Sequence, residues 1–162
     1  MSMKKNARIL RKKLRSAGLP FHELTIGEEC ILYRATIGKF SGKFPTYVVG
    51  VGVEDDCLRC RSVFPVSVPK KRRRDVAEYM ARANYDMKCG TLQLNFEDGT
   101  VIAYCSCMPS VINEEGNRAV EFMFALTPTL LDAHSETLLK VIAGESSPLE
   151  AYKEFERRVE NA

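Results

Sequence analysis

Long apolar runs, histidine, proline and glycine are all scarce in this chain, and each scarcity removes a class of protein. No stretch approaches the roughly 18 to 20 apolar residues of a membrane-spanning helix, and the opening "MSMKKNARILRKKLRSAGLP" lacks the apolar core of a secretory signal. No membrane association is expected, and the chain is placed in the cytoplasm. Prolines number 7 and glycines 10, too few for a low-complexity or linker-rich protein, so disorder is expected only at the ends. Two histidines, His22 and His134, leave little material for general-base or metal chemistry. Acid is missing from two regions: Met1 to Arg15 holds seven cations and no acid, Lys70 to Arg74 holds five more, and the 12 cations elsewhere face all 21 acids. Such segregation favours association with something anionic, or with an acidic face of a second copy.

What is present describes one ordinary domain. The chain has 162 residues, 45% hydrophobic and 28% charged, which is enough to bury a core without disulfides or metals, and residues 1–162 read as a single unit. The six cysteines (Cys30, Cys57, Cys60, Cys89, Cys105 and Cys107) are read as reduced thiols acting mainly as small hydrophobes.

Periodicity then sets the elements. Met3, Ala7, Leu10, Leu14 and Ala17 form a narrow helical stripe on a cationic helix that Gly18 and Pro20 stop. From Glu28 the period becomes two: "CILYRATI", "TYVVGVGVE" and "CLRCRSVFPV" predict three strands of an antiparallel meander, with Tyr47, Val49, Val51 and Val53 on one face. Val76, Tyr79, Met80 and Ala83 restore helical spacing, predicting a second helix from Lys70 to about Ala83. "TLQLNF" and "VIAYCSCM" flank an Asp98-Gly99 turn, which predicts a hairpin. After Asn113 the chain reads as helical nearly to its end, with Thr127-Pro128 starting a fresh helix or kinking a long one, and Ser147-Pro148 opening a short last helix. The expected fold class is α+β, with an antiparallel five-stranded sheet.

Those elements resemble the type III secretion chaperone-like fold, and within it the bacterial YbjN-like proteins, labelled sensory transduction regulators. The stretches that carry the resemblance are "LRSAGLPF", "YVVGVGVEDDCLRCRSVFPVSVP", "RRRDVAEYMARAN", "CGTLQLNFEDGTVIAY" and "LLDAHSETLLKVIAGESSPLEAY". The resemblance implies a sheet with helices packed on it, a homodimer, a protein partner or client, and no catalytic residues to carry over.

No motif assembles a reaction centre. "GKFSGK" is one residue short of a phosphate loop and has Phe44 where a metal-binding hydroxyl belongs, so it reads as a turn. Gly50 and Gly52 lie inside an alternating strand with no helix after them, so they are expected to mark a face crossed closely by another backbone or by the first helix. His22 is expected in a loop, and both it and His134 in surface or capping roles. Asp132 and Ser135 stand two and one residues from His134, a spacing that turns them to different helix faces. The pairs Glu28-Glu29, Asp55-Asp56 and Glu114-Glu115 read as turn, strand edge and helix first turn. Cys57-Leu58-Arg59-Cys60 has the spacing of half a zinc site and Cys105 with Cys107 could complete it, but thiols three apart on a strand face opposite ways, so packing is the favoured reading over a thiol or zinc protein. No cofactor or metal is expected.

One run remains. Lys70, Lys71, Arg72, Arg73 and Arg74 stand at the front of the second helix, where cations oppose the macrodipole at roughly 0.3 to 1 kcal/mol each. A solvated or internally paired face is the first reading, an acidic protein partner the second and nucleic acid the last, because no base-stacking aromatic accompanies the run. The expectation is a non-enzymatic, chaperone-like or regulatory protein-binding factor with these five residues as its candidate basic patch. The rival is a nucleic-acid-associated regulator.

Overall fold

The computed structural model describes residues 2–111 and 118–161. Four helices and six strands follow in the order α1 (Met3–Ser16), β1 (Phe21–Ile26), β2 (Cys30–Gly38), β3 (Thr46–Val53), β4 (Leu58–Val63), α2 (Arg73–Tyr85), β5 (Thr91–Leu94), β6 (Val101–Cys107), α3 (Arg118–Ala143) and α4 (Pro148–Glu160). The strands form one antiparallel sheet in the order β1-β2-β3-β4-β6-β5. The architecture is α+β as expected, with six strands rather than five. The added strand is "FHELTI", whose residues after Phe21 are all exposed. A strand buried on neither side carries no apolar alternation, so pairing with β2 alone makes it a strand. His22 accordingly sits on β1 opposite Arg34, not in a loop.

Two-residue alternation gives the sheet two unlike faces. Tyr33, Tyr47, Val49, Val51, Val53, Leu58, Cys60, Ala103 and Leu92 point inward and are nearly inaccessible. All the helices pack on that side. Gly50 and Gly52 lie on the outer side, contrary to the expected close crossing: a Cβ there would meet only the side chains of Leu32, Arg61 and Cys30.

The inner layer divides into two clusters. One joins Ala7, Ile9, Leu10 and Leu14 of α1 to Tyr33, Val49, Val51 and the first turns of α3. The other joins Val76, Tyr79, Met80 and Ala83 of α2 to Phe64, Val101, Ala103, Leu131, Leu138 and Val141. Residues α3 shares between them run unbroken through Pro128, so Thr127-Pro128 starts no new helix. Thr127 instead turns its hydroxyl to the sheet, 2.8 Å from that of Ser62. Pro128 leaves the Phe124 carbonyl without its helical donor, a defect that tertiary packing on both sides outweighs. Gly144, at φ +79°, ends α3. Ser147 then opens α4 with a capping box, exchanging hydrogen bonds with Glu150. The pair Glu114-Glu115 lies outside the described residues.

Candidate interaction surfaces

The basic run is divided by the fold. Lys70–Arg72 forms a 3-10 turn ahead of α2, which places three cations before the helix proper, and Asp75 supplies an acid to its first turn. Arg72 donates from Nη1 to Asp75 Oδ2 at 3.0 Å, and its guanidinium lies so close to Gly144 that a Cβ there would collide with it. A cation at the carbonyl end of α3 complements that helix dipole. Arg73 clamps the loop before α2 to the β5–β6 hairpin, donating to the carbonyls of Val68 at 3.2 Å and Phe96 at 2.5 Å. Both arginines are half-buried, whereas Lys70, Lys71 and Arg74 are exposed. The run is thus divided into three exposed cations and two half-buried ones engaged within the fold.

A larger feature lies elsewhere. Helices α1 and α3 stand apart on the inner face of the sheet, leaving a groove of about 960 Å³ between them. Ile9, Leu10, Leu14, Ile37, Val120 and Phe124 give it apolar walls and floor, Arg8, Lys12 and Lys13 line its α1 side, and Glu121 lies on the α3 side. Its volume is that of a ligand-sized cleft or a short helical segment. The sequence held two signals for it: the narrow apolar stripe of the first helix, which demands a partner surface, and the absence of acid around that stripe.

The sheet ends differently at its two edges. At β5, the Asn84 carboxamide pairs with both main-chain groups of Leu92, accepting from its N–H at 2.8 Å and donating to its carbonyl at 2.9 Å. At β1, no group among the described residues bonds to the outer backbone edge. Its side chains are anchored by Phe21, packed edge-on against Tyr33, and by Glu23, which accepts two hydrogen bonds from Arg11 at 2.7 and 2.6 Å and is held below the usual carboxylate range by them. The outer sheet face carries Arg34, Arg59, Arg61 and Tyr104 and no acidic residue within its strands. Arg59 is paired with Glu54.

His134, Cys60 and Cys105 are buried in the packing. His134 is not at the surface: it is 2% exposed, with Nδ1 2.7 Å from the Tyr79 hydroxyl and its ring stacked on Phe155 at 3.9 Å. That hydroxyl also lies 2.6 Å from Thr137 Oγ1. Burial lowers the His134 pKa to about 4, so the ring is neutral at physiological pH. Thr127, Leu131, His134, Leu138 and Val141 share one buried helical row, a spacing that was readable in advance. Asp132 accepts from the Tyr47 hydroxyl at 3.3 Å, and Ser135 donates to the Asp132 main-chain carbonyl at 2.8 Å, so neither serves His134. The turn holding "GKFSGK" rests against α3, where a Cβ on Gly42 would strike the Asp132 carboxylate.

Cys60, Cys105 and Cys107 lie close together on the β4–β6 pair. Cys60 and Cys105 are direct cross-strand partners on the inner face, and the Cys60 thiol lies 3.3 Å from the Met123 carbonyl. The neighbouring Cys105 sulfur, together with burial, holds the Cys60 thiol far above its ordinary pKa, which suppresses the thiolate needed for reaction. Cys107 contacts the Met123 sulfur at 3.1 Å. Among the described residues, no three His, Cys, Asp or Glu side chains converge on a common metal position, and no helix is long and apolar enough to cross a membrane. In comparison with known proteins, no family model matches the chain, and no curated protein or solved structure matches it significantly.

Proposed function

We propose that this chain is a non-enzymatic, chaperone-like or regulatory protein-binding factor of the YbjN type, working in the cytoplasm as a homodimer. Its partner site is the groove between α1 and α3, and the occupant is an amphipathic helical segment of another protein with acidic residues beside its apolar stripe. The observation that carries the reading is charge complementarity: an apolar trough with Arg8, Lys12 and Lys13 along one side suits an apolar helix face flanked by carboxylates. Lys70, Lys71 and Arg74 form a secondary patch on the α2 side of the molecule. An antiparallel sheet with its helices packed on one side supports the reading at the level of the α+β class.

Ala17 and Ala125 line the groove and are exposed, so a photo-crosslinking amino acid at either position reads its contents. In cells of the native host, crosslinks should map to an acidic amphipathic segment and disappear in the triple variant Arg8→Glu, Lys12→Glu, Lys13→Glu. Crosslinks to unrelated sequences that persist through the charge reversal would remove this reading. A second reading, a nucleic-acid-associated regulator, is favoured by the acid-free outer face with Arg34 and Arg61. It requires filter binding that falls steeply with salt; a flat salt response excludes it.

A further inference from the structure

The two edges of the sheet point to where a second copy docks. An edge strand presents unpaired N–H and carbonyl groups, and proteins that remain single blunt such strands with charge, proline, a bulge or a cover. This chain covers one edge, and at the other the single charge, Glu23, faces inward and is paired with Arg11. At β5, Asn84 occupies the main-chain groups of Leu92, and α2 packs beside the strand. At β1 there are six residues with no proline and no lysine, and no bonds to the outer backbone among the described residues. Leu24 and Ile26 are 48% and 54% exposed on it.

We infer that β1 pairs antiparallel with β1 of a second copy across a two-fold axis, joining two six-stranded sheets into one. The inference rests on the dimer within the proposed function and adds its interface and register. Symmetry restricts the register. Two identical antiparallel strands pair only where the facing positions have an even sum, since both must turn their hydrogen-bonding groups, and the same face, toward each other. An axis at Glu23 would set that carboxylate against its own copy, and like charges directly opposite are destabilising. An axis at Thr25 would overlap only three strand residues and run Glu23 into the Gly27 turn. An axis at Leu24 aligns five residues. Leu24 then faces Leu24 of the second copy, His22 faces Ile26, and Glu23 faces Thr25, with no like charges opposed. The outer row becomes continuously apolar at the axis, and Arg11 remains free to hold Glu23 from the inner side.

The outer sheet face is a poorer place for the second copy. A face-to-face dimer there would bring Arg34 and Arg61 of one copy near those of the other, with no acid in either set of strands. The edge arrangement keeps those arginines apart and leaves the groove between α1 and α3 open on both copies.

Light scattering of the eluting full-length chain should give a mass near twice 18.3 kDa. Leu24→Lys, a change at an exposed position, should shift it to monomer at equal concentration with an unaltered circular dichroism spectrum, and its melting temperature should no longer rise with protein concentration. Leu24→Cys should form a symmetric intermolecular disulfide under copper-phenanthroline, identified by peptide mapping against the native thiols, and Glu23→Cys should not. A dimer that survives Leu24→Lys, or that crosslinks through Glu23→Cys and not Leu24→Cys, overturns the edge assignment and leaves the dimer standing. A monomeric wild-type chain at about 100 μM overturns both, including the case in which another protein's strand takes the edge. Crosslinking inside the groove is independent of all these outcomes.

Discussion

The two halves of the inner layer solve the same burial problem to different degrees. On the α2 side, three helices and the hairpin interlock: Lys140 reaches Glu154 at 2.7 Å, Arg158 bonds to both Glu136 and the Ala133 carbonyl, Arg73 clamps the hairpin, and Asn84 closes the strand edge. On the α1 side, one narrow amphipathic helix sits on β2 and β3, anchored by the Tyr33 hydroxyl donating to the Ala7 carbonyl at 3.0 Å and by Arg11 on Glu23. The groove and the bare strand both lie there. One half of the inner layer completes its own packing, and the other leaves surface of the kind that partners use.

That contrast can be broken most forcefully by emptying each core in turn. Leu138→Ala, at a position with no exposure, should cost about 4 kcal/mol because the rigid surroundings cannot collapse, whereas Leu14→Ala beside the groove should cost about 2 kcal/mol, as urea melts would show. Equal losses would mean the α1 side is as tightly held as the other.

Acid should act on the closed half. His134 titrates at about 4 in the fold and near 6.5 when unfolded, so its contribution is complete above pH 6.5. It declines as pH falls and the unfolded chain takes up the proton first, losing roughly 3 kcal/mol by pH 4. In His134→Met that part of the slope of stability against pH should vanish; an unchanged slope would place the acid sensitivity elsewhere.

A smaller gain is available on the open half. Asn6 of α1 is fully buried, and neither its amide nitrogen nor its oxygen has a partner among the described residues. Asn6→Leu should therefore stabilise the chain by about 1 to 2 kcal/mol, measured by thermal melts, and a loss instead would reveal a bond that the carboxamide makes. Ser147→Ala removes the reciprocal cap of α4 and should cost about 1 kcal/mol in the same assay. Least of all, replacing Lys70, Lys71 and Arg74 together by Ser should stay within about 0.5 kcal/mol of wild type, since exposed side chains with no partner among the described residues contribute little. Any loss of partner recovery in that variant then reports binding rather than folding, which is not true of the full five-residue change because it also removes the clamps of Arg72 and Arg73.

Much of the layout was legible beforehand wherever a side chain's surroundings follow from its own neighbours. Val49, Val51 and Val53 alternate because one face is buried, and Asp98-Gly99 supplies the backbone freedom a hairpin needs, with Gly99 at φ +80°. Strand β1 escaped because exposure on both faces erases alternation. His134 departs from its expected surface role because Leu131, Leu138 and Val141 share its row, and helical spacing outweighs the polarity of one ring.

Local pattern was enough for the α+β class, the order of helices and the inward set of apolar residues, since each rests on contacts within a few positions along the chain. Which cations stay free, which strand edge is covered and where two helices part to leave a groove depend on residues brought together from far along it: Arg73 with Phe96, Asn84 with Leu92, Arg72 with Gly144. Such meetings depend on how the layers dock, and no periodicity in one segment encodes the distance to another.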